Sequence, residues 1–308
     1  MEYKLRDWIP LDKLYWDILS LNPNAMNLLE KNPEKIAWWA LSENPNPKAV
    51  QMIEKYIDEV GIDKATKIKW NRLSMNPSAI KLLEKYPQKI MWGPLSTNPN
   101  AIKILENNQN KIIWRGLSEN PNAMHLLENN PENINWEYLS DNPNPKAVQM
   151  IEKYIDEVGV NNATKINWLA LSNNPSAIHI LEKYPNKIHW YNLSANPNAI
   201  NILENNIGKI NWLALSKNPN AIHLLKQNMK KIDWYEFSRN PSIFQQIIGN
   251  ELGQNIVDKT TMNYPKSVGS EFIVKNVNKF LGGRTNKRRT NKRRTNKRRR
   301  VRRRVRKN

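Results

Sequence analysis

One motif, W-x-x-L-S-x-N-P, recurs ten times in this chain, and its spacing limits the architectures open to it. Its prolines are Pro23, Pro45, Pro77, Pro99, Pro121, Pro143, Pro175, Pro197, Pro219 and Pro241, and successive steps are 22 or 32 residues. A fixed period of this size marks a repeat array in which each unit buries its apolar face only against its neighbours. The expectation is an all-α fold, an α-solenoid of ten short two-helix repeats. Ten layers at the ~9 Å spacing of packed helices would make a rod roughly 90 Å long.

Each repeat carries helix signals. In Asn22-Pro23-Asn24-Ala25-Met26-Asn27-Leu28-Leu29-Glu30, Asn is an N-cap and Pro suits the first helical turn, where its missing N–H costs nothing. Ala25, Met26, Leu28 and Leu29 form one apolar stripe at helical spacing. The second half, K-I-x-W-x-x-L-S, reads as a shorter helix, partly 3₁₀. In the repeat with Gly93-Pro94 that helix starts no earlier than about Trp92. Residues 48–61 and 146–159 are identical, and the blocks 44–141 and 142–239 read as a duplication. The long repeats, 44–70 and 142–168, should extend the first helix to a C-cap at Gly61 or Gly159, giving two matching polar ridges for a partner.

The flanks differ in character. Residues 1–13 read as an N-terminal cap on the array at 14–248. Residues 249–283 read as a linker with a candidate capping helix at 270–281. The tail, 284–308, is built from R-T-N-K-R units and reads as disordered when free. Sixteen of the chain's 48 Lys and Arg lie there, leaving 32 bases against 28 acids elsewhere. Arg284, Lys287, Arg288, Arg289, Lys292, Arg293, Arg294, Lys297, Arg298, Arg299, Arg300, Arg302, Arg303, Arg304, Arg306 and Lys307 are the candidate nucleic-acid contacts. With no aromatic residue among them, binding should be sequence-independent and salt-sensitive. The run equally suits a nuclear import signal. Thr285, Thr290 and Thr295 lie where phosphorylation would loosen the contact.

No Cys is present, which removes disulfides and Cys-based zinc sites. No run resembles a signal peptide or a membrane span, so a soluble, intracellular protein is expected, and the sequons at Asn162 and Asn192 read as chance. No phosphate loop, H-E-x-x-H motif or nucleophile elbow occurs. The expectation is a non-enzyme without catalytic, cofactor or metal residues.

Three repeated columns invite function. The invariant Ser, Ser20 to Ser238, reads as a turn residue. His125, His179 and His223 share a position with Asn and Lys and read as a solvated face. The Trp column admits base stacking, but its phase with the neighbouring Ile and Leu favours a buried core role. The two residues after each Trp vary most, and they supply the candidate partner surface: Asn71, Arg72, Arg115, Glu137, Tyr138, Tyr191, Asn192, Tyr235 and Glu236.

The units L-S-x-N-P-N-A-I-x-L-L-E-x-N-P-x-K-I-x-W, the opening L-R-D-W-I-P-L-D-K-L and the closing N-P-S-I-F at 240–244 resemble a 22-residue helical-repeat family of large DNA viruses that infect protists. The likeness covers roughly residues 5–245. The N-P turn is distantly similar to the leucine-rich-repeat variant. The resemblance implies a helical-repeat protein with no established enzymatic activity. Its expected setting is the nucleus or viral factory of an infected cell, or the virion. The functional expectation is a scaffold for a protein partner whose basic tail binds nucleic acid or directs the protein to it. The alternative is that the repeats themselves contact the strand.

Overall fold

The structure, a computed structural model, describes residues 2–247; the linker, the candidate helix at 270–281 and the basic tail lie outside them. The fold is mostly helical, a succession of short helices packed in one repeated pattern. In a typical repeat a helix starts at Trp70 and ends at Met75. Asn76 is extended, as a residue before proline prefers, and its side chain accepts the N–H of Ser78 at 3.0 Å. A 3₁₀ turn, Pro77–Ala79, then runs into the helix Ile80–Lys85. A second 3₁₀ turn, Pro87–Lys89, leads through extended Ile90 and Met91 to Trp92, where the next Trp helix begins. Helices of four to six residues cannot stand alone in water, so contacts between repeats must hold them.

Those contacts are polar as well as apolar. Every motif Asn is buried. Asn120 donates both amide hydrogens to the preceding repeat, to Ser96 O at 3.0 Å and Asn98 O at 2.8 Å. Its oxygen accepts the N–H of Asn122. Every motif Ser is also buried; Ser96 Oγ donates to Trp92 O at 2.8 Å and accepts the N–H of Ile113 at 3.0 Å in the next repeat. Beside this ladder runs an apolar belt of Leu73, Leu95, Leu117 and their counterparts, packed against Ala79, Leu83, Leu105 and Leu127.

The ladder has no ends, which corrects the expected rod. Asn22 of the first repeat donates to Ser238 O at 3.1 Å and Asn240 O at 3.0 Å of the tenth, and Tyr15 N–H reaches Ser238 Oγ at 2.9 Å. The bonds that join every other pair of neighbours thus join the last repeat to the first, and residues 2–247 close into a ring. The cause is the taper of each repeat. Most neighbouring Trp helices pack directly on one another, whereas the Asn-Pro helices are bridged by long side chains such as Lys48–Glu30, His125–Glu106 and His223–Glu204. The Trp helices therefore form the inner wall. Ten tapered units each turning about 36° complete a circle. At the usual 8–10 Å between helix axes the inner wall is about 30 Å across.

The N-terminal segment, expected to cover an open end, fastens the seam instead. Strand β1 (Tyr3–Leu5) pairs antiparallel with β2 (Phe244–Gln246). Arg6 adds N–H to Ile243 O at 3.0 Å and Nε to Ser242 O at 2.7 Å. Trp8 packs against Phe237, the one repeat that carries Phe in place of Leu, with ring centres 6.0 Å apart.

The 32-residue repeats place their extra residues in the outer layer. Pro47–Val60 and Pro145–Val158 are single helices of 14 residues, each ending at a glycine with positive φ, Gly61 at 83° and Gly159 at 79°. Inside, Asn76 still reaches Ser42 O, so the inner wall keeps its step. Lys55–Glu59 and Lys153–Glu157 pair on the two ridges at 3.8 and 3.7 Å.

The Trp column departs from expectation. All ten are half-buried, with one edge on the core and one face toward solvent. Lysine from the 3₁₀ turn that leads to the next Trp helix covers several of those faces: Lys35 lies 4.4 Å from the centre of Trp16, Lys111 4.6 Å from Trp92 and Lys231 4.4 Å from Trp212. Such a contact is worth about 0.5–1 kcal/mol at an exposed site.

Asn120→Ala should cost about 2–4 kcal/mol in urea unfolding, because it takes the amide donor from buried Ser96 O, one of two donors from Asn98 O, and the acceptor from the Asn122 N–H, at about 1–3 kcal/mol for each group left unpaired. Across the seam no peptide bond backs up the ladder. Asn22→Ala with Arg6→Ala should therefore raise hydrogen exchange at residues 15–22 and 234–240 together, and Asn120→Ala should leave those segments protected.

Candidate partner-binding face

On a helix that begins at Trp, the Leu three places on points into the core and the Ser four places on points at the next repeat. Both are buried throughout, as is Phe237, which stands in the Leu position. The residues one and five places after Trp fall on the opposite side, away from the core and toward the middle of the ring. The residue two places on lies between that side and the preceding repeat.

The sequence-derived candidates divide along these lines. Asn71, Arg115, Glu137, Tyr191 and Tyr235, all first after Trp, are exposed and share the inner face. Arg72, Tyr138, Asn192 and Glu236, all second, are half-buried and tied to neighbours. Arg72 pairs with Glu43 and stacks on Trp39, its guanidinium carbon 4.8 Å from the ring centre. Arg115 lies over the ring of Tyr138, 5.1 Å from its centre. Asn192 donates to Leu169 O at 2.9 Å. Glu236 lies 3.8 Å from Arg239. The smallest member of the second set, Gly116, answers a close approach: a Cβ there would stand 3.1 Å from the Gly93 carbonyl oxygen.

Two features of this face were not among the sequence candidates. Leu169 and Leu213 belong with Tyr191 and Tyr235 in four consecutive repeats, and all four are 41–52% exposed. Tyr15 extends the arc across the seam, edge-on to Tyr235 at 5.4 Å. The other feature is the residue between the motif Ser and Asn, one helical turn after the variable pair begins. It brings Glu43, Met75, Glu119, Asp141, Lys217 and Arg239 to the inner face. The signal that could have found them is their i+4 spacing from the first variable position.

Glu119 and Asp141, in the fifth and sixth repeats, are half-buried, and no ion pair or hydrogen bond joins either carboxylate to the described residues. Burial raises both above the ordinary carboxylate range, and the Asp141 charge raises Glu119 further. The invariant Ser hydroxyls, in contrast, both donate and accept within the ladder, so none is free to act as a nucleophile. Among the described residues no three His, Asp or Glu come together as metal ligands, and no helix is long and apolar enough to cross a membrane. In comparisons with known proteins, no family model, no curated protein and no solved structure matches the chain.

A carboxyl group whose folded pKa exceeds its unfolded value binds more protons in the native state, so its effect on stability worsens as pH rises through that range. Glu119→Gln with Asp141→Asn should therefore raise the melting temperature at pH 7.5 and leave it near the wild-type value at pH 4. Melting curves across this range check the sign.

Proposed function

We propose that the ring is a non-enzymatic scaffold that holds a protein partner on its inner face, while the tail at 284–308 gives it a sequence-independent grip on nucleic acid. One observation carries the reading. The invariant Ser and Asn columns are consumed in holding repeats together, while the variable positions turn inward and leave a contiguous arc of Leu169, Tyr191, Leu213 and Tyr235 exposed. An exposed apolar arc rimmed by polar residues has the character of a protein-binding surface.

The charge of the inner face favours protein over a threaded strand. Its columns bring Asp17, Glu43, Glu119, Glu137, Asp141 and Glu236 against Arg72, Arg115, Lys217 and Arg239. Phosphates would be repelled by more acids than they could pair with bases. The tail, with sixteen bases and no acid, has the opposite balance. The likeness to a repeat family of large DNA viruses fits a role beside viral nucleic acid in an infected cell, and the paired outer ridges offer a second place for a partner.

Two measurements separate the parts. Leu169→Asp with Leu213→Asp should abolish partner capture from infected cells at least tenfold without changing nucleic-acid affinity. A chain ending at Gly283 should lose nucleic-acid binding, and binding by the full chain should fall steeply between 50 and 200 mM salt, by about 10³-fold or more if six or more phosphates are contacted. Equal affinity of the full and shortened chains would move the nucleic-acid site into the ring.

A further inference from the structure

The duplication lets one part of the ring be read against another. The two 32-residue steps, between the second and third and between the sixth and seventh repeats, correspond at an offset of 98 residues. At the first, the protein supplies its own guanidinium: Arg72 stacks on Trp39 and pairs with Glu43. At the second, the corresponding residues are Ala170, Glu137 and Asp141. The acid remains and a second carboxylate replaces the Trp, but the arginine is gone. Glu119 of the fifth repeat adds to the negative charge beside Asp141. In the same step a cleft of about 780 Å³ opens, lined by Trp136, Glu137, Lys165, Trp168 and Leu169 with the residues that precede each Trp. Of the acids Glu137 lines it, while Asp141 and Ala170 lie further along the chain from each Trp, outside its lining. Lys165 does not fill the place of the arginine, because it lies over Tyr154, 5.6 Å from the ring centre.

We infer that this step of the ring is a receptor site for a guanidinium group, an arginine side chain presented by the protein partner. The inference rests on the reading that the inner face holds a partner, and it names the chemistry of one anchor. Arginine fits better than lysine for a physical reason. Its planar fork stacks on flat apolar surface and pairs with carboxylates at the same time, as Arg72 does at the sister step. The cleft has room for such a side chain together with the backbone on either side of it.

The test uses the full-length protein labelled with 5-fluorotryptophan and followed by fluorine NMR, with the Trp136 and Trp168 resonances assigned from Trp→Phe variants. Acetyl-Gly-Arg-Gly-amide should shift those two resonances saturably, and the citrulline analogue, which lacks the charge, should bind at least tenfold more weakly. Ala170→Arg should abolish the response by filling the site from within. Asp141→Asn should weaken it at least tenfold and serves if the arginine variant fails to fold. Free arginine should bind more weakly than the peptide; equal binding would assign the site to a small guanidinium ligand and overturn the partner. Equal binding of the citrulline peptide, or an unchanged response in both variants, would overturn the site. No partner is needed for this titration. A protein that captures its partner through the apolar arc yet ignores the arginine peptide would lose only the guanidinium site.

Discussion

The structure depends on what one buried amide can do. Each motif Asn has two N–H donors and one oxygen, and all three are engaged, two across the repeat boundary and one at the start of its own outer helix. Asp at that position would have no donors, Ser too few, and Gln a longer reach that misplaces all three. A buried amide left partly unpaired would cost more than it contributes. Its recurrence in ten places therefore reflects chemistry with no substitute among the common side chains. The Ser beside it binds the inner helices edge to edge in the same spirit, with both hydrogen-bonding roles of its hydroxyl in use.

Because these bonds draw the inner helices together while only long side chains span the outer ones, the units taper, and the taper closes the ring. Closure removes the usual weakness of a repeat array, two terminal units with an apolar face and no neighbour. The apolar belt shows this: the cluster that contains Ile9 and Leu19 also contains Leu215, Phe237 and Phe244, from the far end of the repeat region. The clasp of β1 with β2 and Arg6 supplies at the seam the tethering that the backbone supplies elsewhere.

Much of a single repeat was legible in the sequence. The Asn-Pro helix start, the inner helix beginning at Trp92, the 14-residue helices and their glycine caps follow from local chemistry, and local chemistry repeats. Closure was not legible, because curvature comes from the difference in spacing between two layers, a few ångströms per step that no residue period encodes. The half-exposure of Trp16, Trp92 and Trp212 was missed for a related reason. Ile, Trp and Leu share a phase, but only the side of the Trp toward the core is covered, and its lysine partner comes from the far end of the repeat, the 3₁₀ turn before the next Trp. The candidate face was half legible. Variation after each Trp marked Tyr191 and Tyr235, while Glu119 and Asp141 were hidden between two invariant residues, where variation looks like a gap in a motif.

The duplicated block of 98 residues carries four inner helices, those beginning at Trp70, Trp92, Trp114 and Trp136 or their later counterparts. With one block fewer, the chain would have six units and would turn through about 216° at the same taper, an open crescent with both ends bare. Adding the block brings the turn to a full circle. A gene duplication that would merely lengthen a straight array here changes the topology of the object, from an arc with two ends to a loop with none. The same arithmetic makes the repeat number stiff: nine units of this shape leave a gap and eleven collide, so gain or loss of a single unit disturbs the seam however far from it the change occurs.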